Sequence, residues 1–106
     1  MMKIKDFATL CQCSIYTLRY YDKIGLLKPE AVNDQSGYRY YNEQQITRFQ
    51  EIKELQEIGF SVSEIKAMKN LKSYEVINLI LLKMTDLQKQ LDKSVVLINK
   101  YKERRE

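Results

Sequence analysis

The longest sustained hydrophobic pattern in the chain is at its C-terminal end. Ile77, Ile80, Met84, Leu87, Leu91, Ser94, Ile98 and Tyr101 recur in alternating steps of three and four, the spacing of a coiled-coil seam. Only Ser94 interrupts its apolar character, and Val95 lies beside it. From Ser73 onward there is neither proline nor glycine. A helix of about 33 residues extends roughly 50 Å, too long to bury its seam within a chain of this size, so most of the seam must meet another chain. Leu79, Leu81 and Leu82 widen the apolar surface near its start, where the helix is also expected to pack on globular parts of one or both protomers. The heptads alone leave the orientation of the pair open.

The first two thirds have shorter periods. Phe7, Ala8, Leu10 and Cys11 predict a short helix over residues 4–11 with one buried face. Ser14 reads as the N-cap of a second helix, its hydroxyl placed to accept from the backbone N–H of Tyr16 or Thr17, and Gly25 ends that helix. Two short helices across a tight turn form a helix-turn-helix. Between Val32 and Tyr41 the period changes to two. Tyr38 and Tyr40 share one side, Arg39 takes the other, and Asn33-Asp34-Gln35-Ser36-Gly37 supplies turn chemistry for a small β-hairpin, a wing. Asn42 and Gln45 form a capping pair opening a third helix with Ile46, Phe49, Ile52, Leu55 and Ile58 as its apolar stripe, stopped by Gly59. Ser61-Val62-Ser63-Glu64 is a second capping box, opening a fourth helix with Val62, Ile65, Met68 and Leu71 inward.

The expected fold is therefore mainly α: a winged helix-turn-helix of four short helices and a β-hairpin over residues 1–71, then a long dimerisation helix over residues 73–106. Composition adds bounds. With 106 residues and 44% hydrophobic positions the chain can bury one modest core. The N-terminus lacks the apolar run of a signal peptide and no segment approaches a membrane span, so a soluble, cytoplasmic protein without membrane association is expected. The net charge of +4 is unevenly placed: residues 1–60 hold 8 basic and 8 acidic side chains, and residues 61–106 hold 10 and 6. Bulk charge gives the first half no pull on nucleic acid, so binding there must rest on which side chains face outward.

The second helix supplies such a face. At 100° per residue from Tyr16, Tyr20 falls at about 40°, Lys23 at about 340° and Arg19 at about 300°, while Ile15, Leu18 and Tyr21 fall at about 260°, 200° and 140°. One side can be buried; the other carries two phenols, a guanidinium and an ammonium. Tyr16, Thr17, Arg19 and Tyr20 form the candidate recognition set, with Tyr16 best placed for base edges and Arg19 and Tyr20 for phosphates. Lys23 is read as a more distant charge. Tyr38 and Arg39 would bring the wing onto flanking phosphates, against the alternative that Arg39 only solubilises an edge strand. Lys66 either reaches phosphate from a second wing or is a solvated lysine.

Leu18-Arg19-Tyr20-Tyr21-Asp22-Lys23-Ile24-Gly25-Leu26-Leu27-Lys28-Pro29, then Ser36-Gly37-Tyr38-Arg39-Tyr40-Tyr41, then Ile58-Gly59-Phe60-Ser61 and Glu64-Ile65-Lys66 resemble the MerR family of bacterial transcription regulators. The resemblance covers residues 4–71 in order, and the coil completes it. It implies a homodimer joined by an antiparallel coiled coil, with double-stranded DNA as partner and a pseudo-palindromic operator in a promoter spacer. It also implies that bending and untwisting this DNA realigns the promoter for bacterial RNA polymerase, deformation energy being offset by contacts that only bent DNA permits. Family members usually have glycine in the first turn where this chain has Gln12; a left-handed Gln costs on the order of 1 kcal/mol unless the turn changes shape.

Cys11 and Cys13 lie too close in sequence to close a useful disulfide loop, and there is no histidine to join them at a metal. Metal-sensing members resembling this chain carry thiols near the end of the dimer helix, where this one has none, so no metal and no cofactor are expected. No catalytic constellation appears and the chain is read as no enzyme. The rival function is a coiled-coil scaffold or adaptor, or an architectural DNA-binding protein without promoter control. After the coil only Lys102-Glu103-Arg104-Arg105-Glu106 follow, read as a charged tail; the effector is unknown, and a short member and part of a longer protein are both open.

Overall fold

The computed structural model describes residues 1–105; Glu106, the last residue of the expected charged tail, lies outside the described residues. The elements run β1 (Met2–Lys3), α1 (Ile4–Cys11), α2 (Ile15–Ile24), β2 (Ala31–Val32), β3 (Arg39–Tyr41), α3 (Gln44–Glu57), α4 (Val62–Ala67) and α5 (Ser73–Lys102). They divide into two compact units, Met1–Lys69 and a second beginning at Asn70.

In the first unit, α1 and α2 form where the apolar spacing places them. Ser14 caps α2 by accepting from Thr17 N–H at 3.0 Å. Gly25 ends α2 at φ 78°, its N–H and those of Leu26 and Leu27 donating to carbonyls of the last turn. Gln12 keeps the left-handed turn at φ 56° and ψ 44°, its N–H donating to Thr9 O at 3.2 Å. It is the one non-glycine residue at positive φ among the described residues. The turn thus retains its shape and carries the strain of a side chain there.

The wing is joined to the rest by a strand absent from the sequence reading. β3 pairs antiparallel with β2 on one edge and with β1 on the other, in the order β1-β3-β2, with Met2 opposite Tyr41 and Lys3 opposite Tyr40. The hairpin tip follows the turn chemistry: Asn33 Oδ1 accepts from the N–H groups of Gln35 and Ser36, both at 2.9 Å, and Gly37 takes φ 74°. Tyr41 leaves the strand inward, fully buried and stacked on Phe7 with centroids 4.3 Å apart and planes 10° apart.

Phe7, Leu18, Leu26, Tyr41, Ile52 and Ile65 form the most deeply buried layer. Asn42 and Gln45 exchange the expected reciprocal bonds at 3.1 and 3.0 Å, although α3 itself begins at Gln44. Ser61 and Glu64 close the second capping box. Two apolar assignments change. Ile58 lies past the end of α3 and is 36% exposed, and Leu10, at the edge of the α1 face, is 57% exposed.

The second unit is α5, whose 30 residues give a length of about 45 Å. None of its side chains is buried. Among the described residues, no helix is long and apolar enough to cross a membrane.

Candidate nucleic-acid interface

The inner face of α2 is fixed by Leu18, fully buried, and by Tyr21, whose ring packs on Phe49 and whose hydroxyl donates to Gln56 Oε1 at 3.2 Å. With that side committed, the 3.6-residue period turns Tyr16, Arg19, Tyr20 and Lys23 outward. Tyr16 is 79% exposed and Tyr20 45%. Exposed phenols on a charged helix face are unusual, because each leaves a large apolar ring in water. Thr17 is half-buried and also serves the cap, its Oγ1 lying 2.9 Å from Ser14 Oγ. The recognition set is thus three projecting side chains and one whose hydroxyl is already shared.

Arg39 carries a second job that the sequence does not show. Its Nε donates to Asp22 Oδ2 at 2.8 Å, and Lys28 Nζ lies 3.8 Å from Asp22 Oδ1. The pair is only about one third to one fifth exposed, so water screens it incompletely, and it ties the wing strand β3 to the outer turn of α2. Because Nε makes this bond, the Nη edge of the guanidinium fork is what remains to meet an anion. Tyr38, just before β3, is 56% exposed, with Lys3 Nζ 5.3 Å from its ring centroid. Lys3 comes to the wing through the β1–β3 pairing, and no periodicity in a two-residue strand signals it.

Lys66 on α4 lies across the end of α2: a Cβ added to Gly25 would sit 3.4 Å from Lys66 Cε and 3.6 Å from Nζ. A cation at a helix C-terminus is favourably placed against the last carbonyls. The ammonium group therefore adjoins the C-terminal end of α2, where it complements the helix end.

The thiols are quiet. Burial, reinforced by neighbouring Cys13, pushes Cys11 up to about 11, and burial also raises Cys13, opposed by Lys53. Burial thus disfavours the Cys11 thiolate, the form needed for metal binding or oxidation. Among the described residues no group of three or more His, Cys, Asp or Glu side chains could hold a metal.

On α5 the seam positions Ile77, Met84, Leu87, Leu91, Ile98 and Tyr101 are all exposed, and Ile80 is intermediate. Ser94, the polar interruption, turns its hydroxyl back to Gln90 O at 2.8 Å, hiding its donor within the helix. Val95, Val96 and Leu97 are about half exposed beside it.

Residues 2–72 match the model of the MerR HTH family regulatory proteins. The mercuric resistance operon regulatory protein of Bacillus cereus is 31% identical over 96 residues, which span 85% of this chain and 72% of that protein. Three relatives from Bacillus subtilis, two of them regulators of multidrug-efflux transporters, are spanned over only about a quarter of their length. Among solved structures, the EcmrR–DNA complex in EcmrR-RPo has a TM-score of 0.76 and 32% identity, covering 94% of this chain and 38% of that one. HiNmlR, a MerR family regulator lacking the sensor domain and bound to promoter DNA, has a TM-score of 0.63 and 25% identity, covering 95% and 87%. These proteins are regulators and none is an enzyme. With the family model matched across the whole winged helix-turn-helix, this chain belongs to the MerR family of helix-turn-helix transcription regulators.

Proposed function

We propose that the chain works as a homodimeric, sequence-specific DNA-binding regulator acting at promoters in the cytoplasm. The observation that carries this is the face of α2, where Tyr16 stands 79% exposed among Arg19, Tyr20 and Lys23 while the opposite side is locked in the core. A helix of about 10–12 Å diameter fits the major groove of B-DNA, about 12 Å wide. In this reading Tyr16 meets base edges, with Thr17 at the rim of the same contact. Arg19 and Tyr20 hold phosphates, Tyr38 and the Nη edge of Arg39 hold the flanking strand, and Lys66 adds charge at the far end of α2.

One copy reads a half-site. The exposed seam from Ile77 to Tyr101 supplies the partner, and an antiparallel coil gives the dimer the two-fold symmetry of a pseudo-palindrome. HiNmlR and EcmrR, both seen with DNA, support the same use here, and the EcmrR complex supports RNA polymerase as the machine addressed. Bending and untwisting the spacer DNA is the proposed means of control, since deformation energy can be offset by contacts that only the distorted duplex allows.

The test is selection of bound duplexes from a randomised pool, followed by occupancy across the genome. The expected result is a shared inverted repeat lying between promoter elements. Recovery of duplexes with no common sequence would remove sequence-specific regulation and favour an architectural role; recovery of none would favour a scaffold.

A further inference from the structure

We infer that a phosphate subsite lies between the outer face of α2 and the wing, completed by Lys3 and Lys5, which belong neither to α2 nor to the hairpin. A concavity of about 280 Å³ opens here, and four cations line it: Lys3, Lys5, Arg19 and Arg39, with Tyr38 and Gly37 at its wall. No carboxylate lines it. The nearby Asp22 is already engaged by Arg39 Nε at 2.8 Å and approached by Lys28 at 3.8 Å.

The chain brings these charges together from four elements. β1 pairs with β3 and puts Lys3 opposite Tyr40, one residue from Arg39. α1 begins at the next residue, so Lys5 lies in its first turn, while Arg19 comes from the outer face of α2. Lys3 Nζ sits over the Tyr38 ring, which keeps its ammonium at the cavity wall. Gly37 leaves the approach clear, since a Cβ there would meet nothing within 4 Å.

Four like charges around one small space repel each other, and an anion entering that space relieves them all. The occupant is a DNA backbone phosphate, because the cavity is continuous with α2's exposed face and with the wing tip, both of which point to a duplex. This assignment rests on the DNA-binding reading above. It also locates the local positive field in a segment whose first 60 residues carry no net charge.

The test measures duplex affinity against salt for wild type, for Lys3→Gln, Lys5→Gln and the double variant, and for Lys53→Gln, which removes an exposed charge from α3. Each phosphate that is no longer neutralised should make the slope of log K against log salt shallower by about 0.9. The double variant is expected to make the slope shallower by about 0.9, the share of the one phosphate held here, and either single variant by a part of that, with cognate and scrambled duplexes weakened alike; Lys53→Gln leaves the slope unchanged. Lys3→Arg with Lys5→Arg should restore the wild-type slope, which separates charge from folding.

A wild-type duplex slope that survives the double variant overturns the subsite and leaves the DNA-binding reading standing. An equal drop in Lys53→Gln overturns it too, because net charge alone would be acting. Absence of duplex binding by wild type overturns both. Titration with inorganic phosphate distinguishes the source: saturable binding at low millimolar concentration, with the duplex slope unaffected by the lysines, would assign the cavity to a free phosphate and overturn the backbone assignment.

Discussion

Gln12 holds a left-handed backbone, φ 56° and ψ 44°, in the turn between α1 and α2. An L-residue in that region costs roughly 1–2 kcal/mol, because Cβ crowds the following carbonyl. Glycine there has no such cost, but it gives the unfolded chain extra freedom, which offsets about 0.4–1 kcal/mol. The Gln12 side chain is exposed, so removing it sacrifices little packing. Gln12→Gly should therefore stabilise the protein by on the order of 0.8 kcal/mol, a rise in Tm of about 3–6 °C for a domain of this size. Gln12→Ala keeps the Cβ and the strain, so it should change Tm by little. The assay is thermal unfolding followed by circular dichroism at fixed protein concentration, since the proposed dimerisation would make Tm concentration-dependent. If Gln12→Gly melts no higher than Gln12→Ala, the turn is not storing strain at this residue, and the backbone assigned to it is wrong.

Other outcomes follow from other parts of the molecule. Tyr41 buries a hydroxyl without a partner, so Tyr41→Phe should be neutral or stabilising by about 1 kcal/mol in urea titration, whereas Tyr41→Ala, which also removes the stack on Phe7, should cost about 3–5 kcal/mol. Burial, then Asp22, pushes Tyr41 up to about 12, and burial then Cys13 pushes Cys11 up to about 11, from ordinary values of 10.0 and 9.0. With folded values raised, the unfolded chain loses its protons first, so the stability these groups contribute is intact below pH 9 and falls as pH rises through 9 to 12. Denaturant midpoints measured across that range should drop in wild type and drop less above pH 10 in Tyr41→Phe. Leu87→Asp with Leu91→Asp should yield monomer in sedimentation velocity at micromolar protein, since in the proposed dimer these two exposed positions would bury four leucines at about 1.5–3 kcal/mol each, replaced here by facing charges; a persistent dimer would place the seam elsewhere. Gly25→Ala should destabilise by about 1–2 kcal/mol in the same urea assay, because φ 78° is hostile to any Cβ, even though the Lys66 side chain leaves room for one.

Local rules made α1 to α4 legible, because apolar spacing and the capping residues Ser14, Gly25, Ser61 with Glu64, and Asn42 with Gln45 act on neighbours three or four residues away. The outward set on α2 followed from the same period once Leu18 and Tyr21 were placed inside. Distant partners were not legible. The ion pair of Arg39 with Asp22 spans 17 residues and depends on where the wing meets α2, which no local pattern encodes. β1 was missed because two residues carry no alternation; Met2 and Lys3 are extended only because β3 offers an edge to pair with. Missing β1 concealed Lys3, and with it the basic cluster between helix and wing. Leu10 and Ile58 show the opposite failure, apolar residues whose spacing suggested burial but which sit at the edge or past the end of a helix.

The most direct measurement of the central claim, that the outer face of α2 reads DNA, is fluorescence anisotropy on the selected duplex and its scrambled counterpart, for wild type, Tyr16→Ala and Arg19→Ala. If Tyr16 meets base edges, Tyr16→Ala should compress the ratio of the two affinities by about 5- to 150-fold, the equivalent of 1–3 kcal/mol. Arg19→Ala, removing a phosphate contact, should weaken both duplexes alike and make the salt slope shallower by about one. If both variants keep the wild-type affinities, ratio and slope, α2 is not the reading element and the account is contradicted.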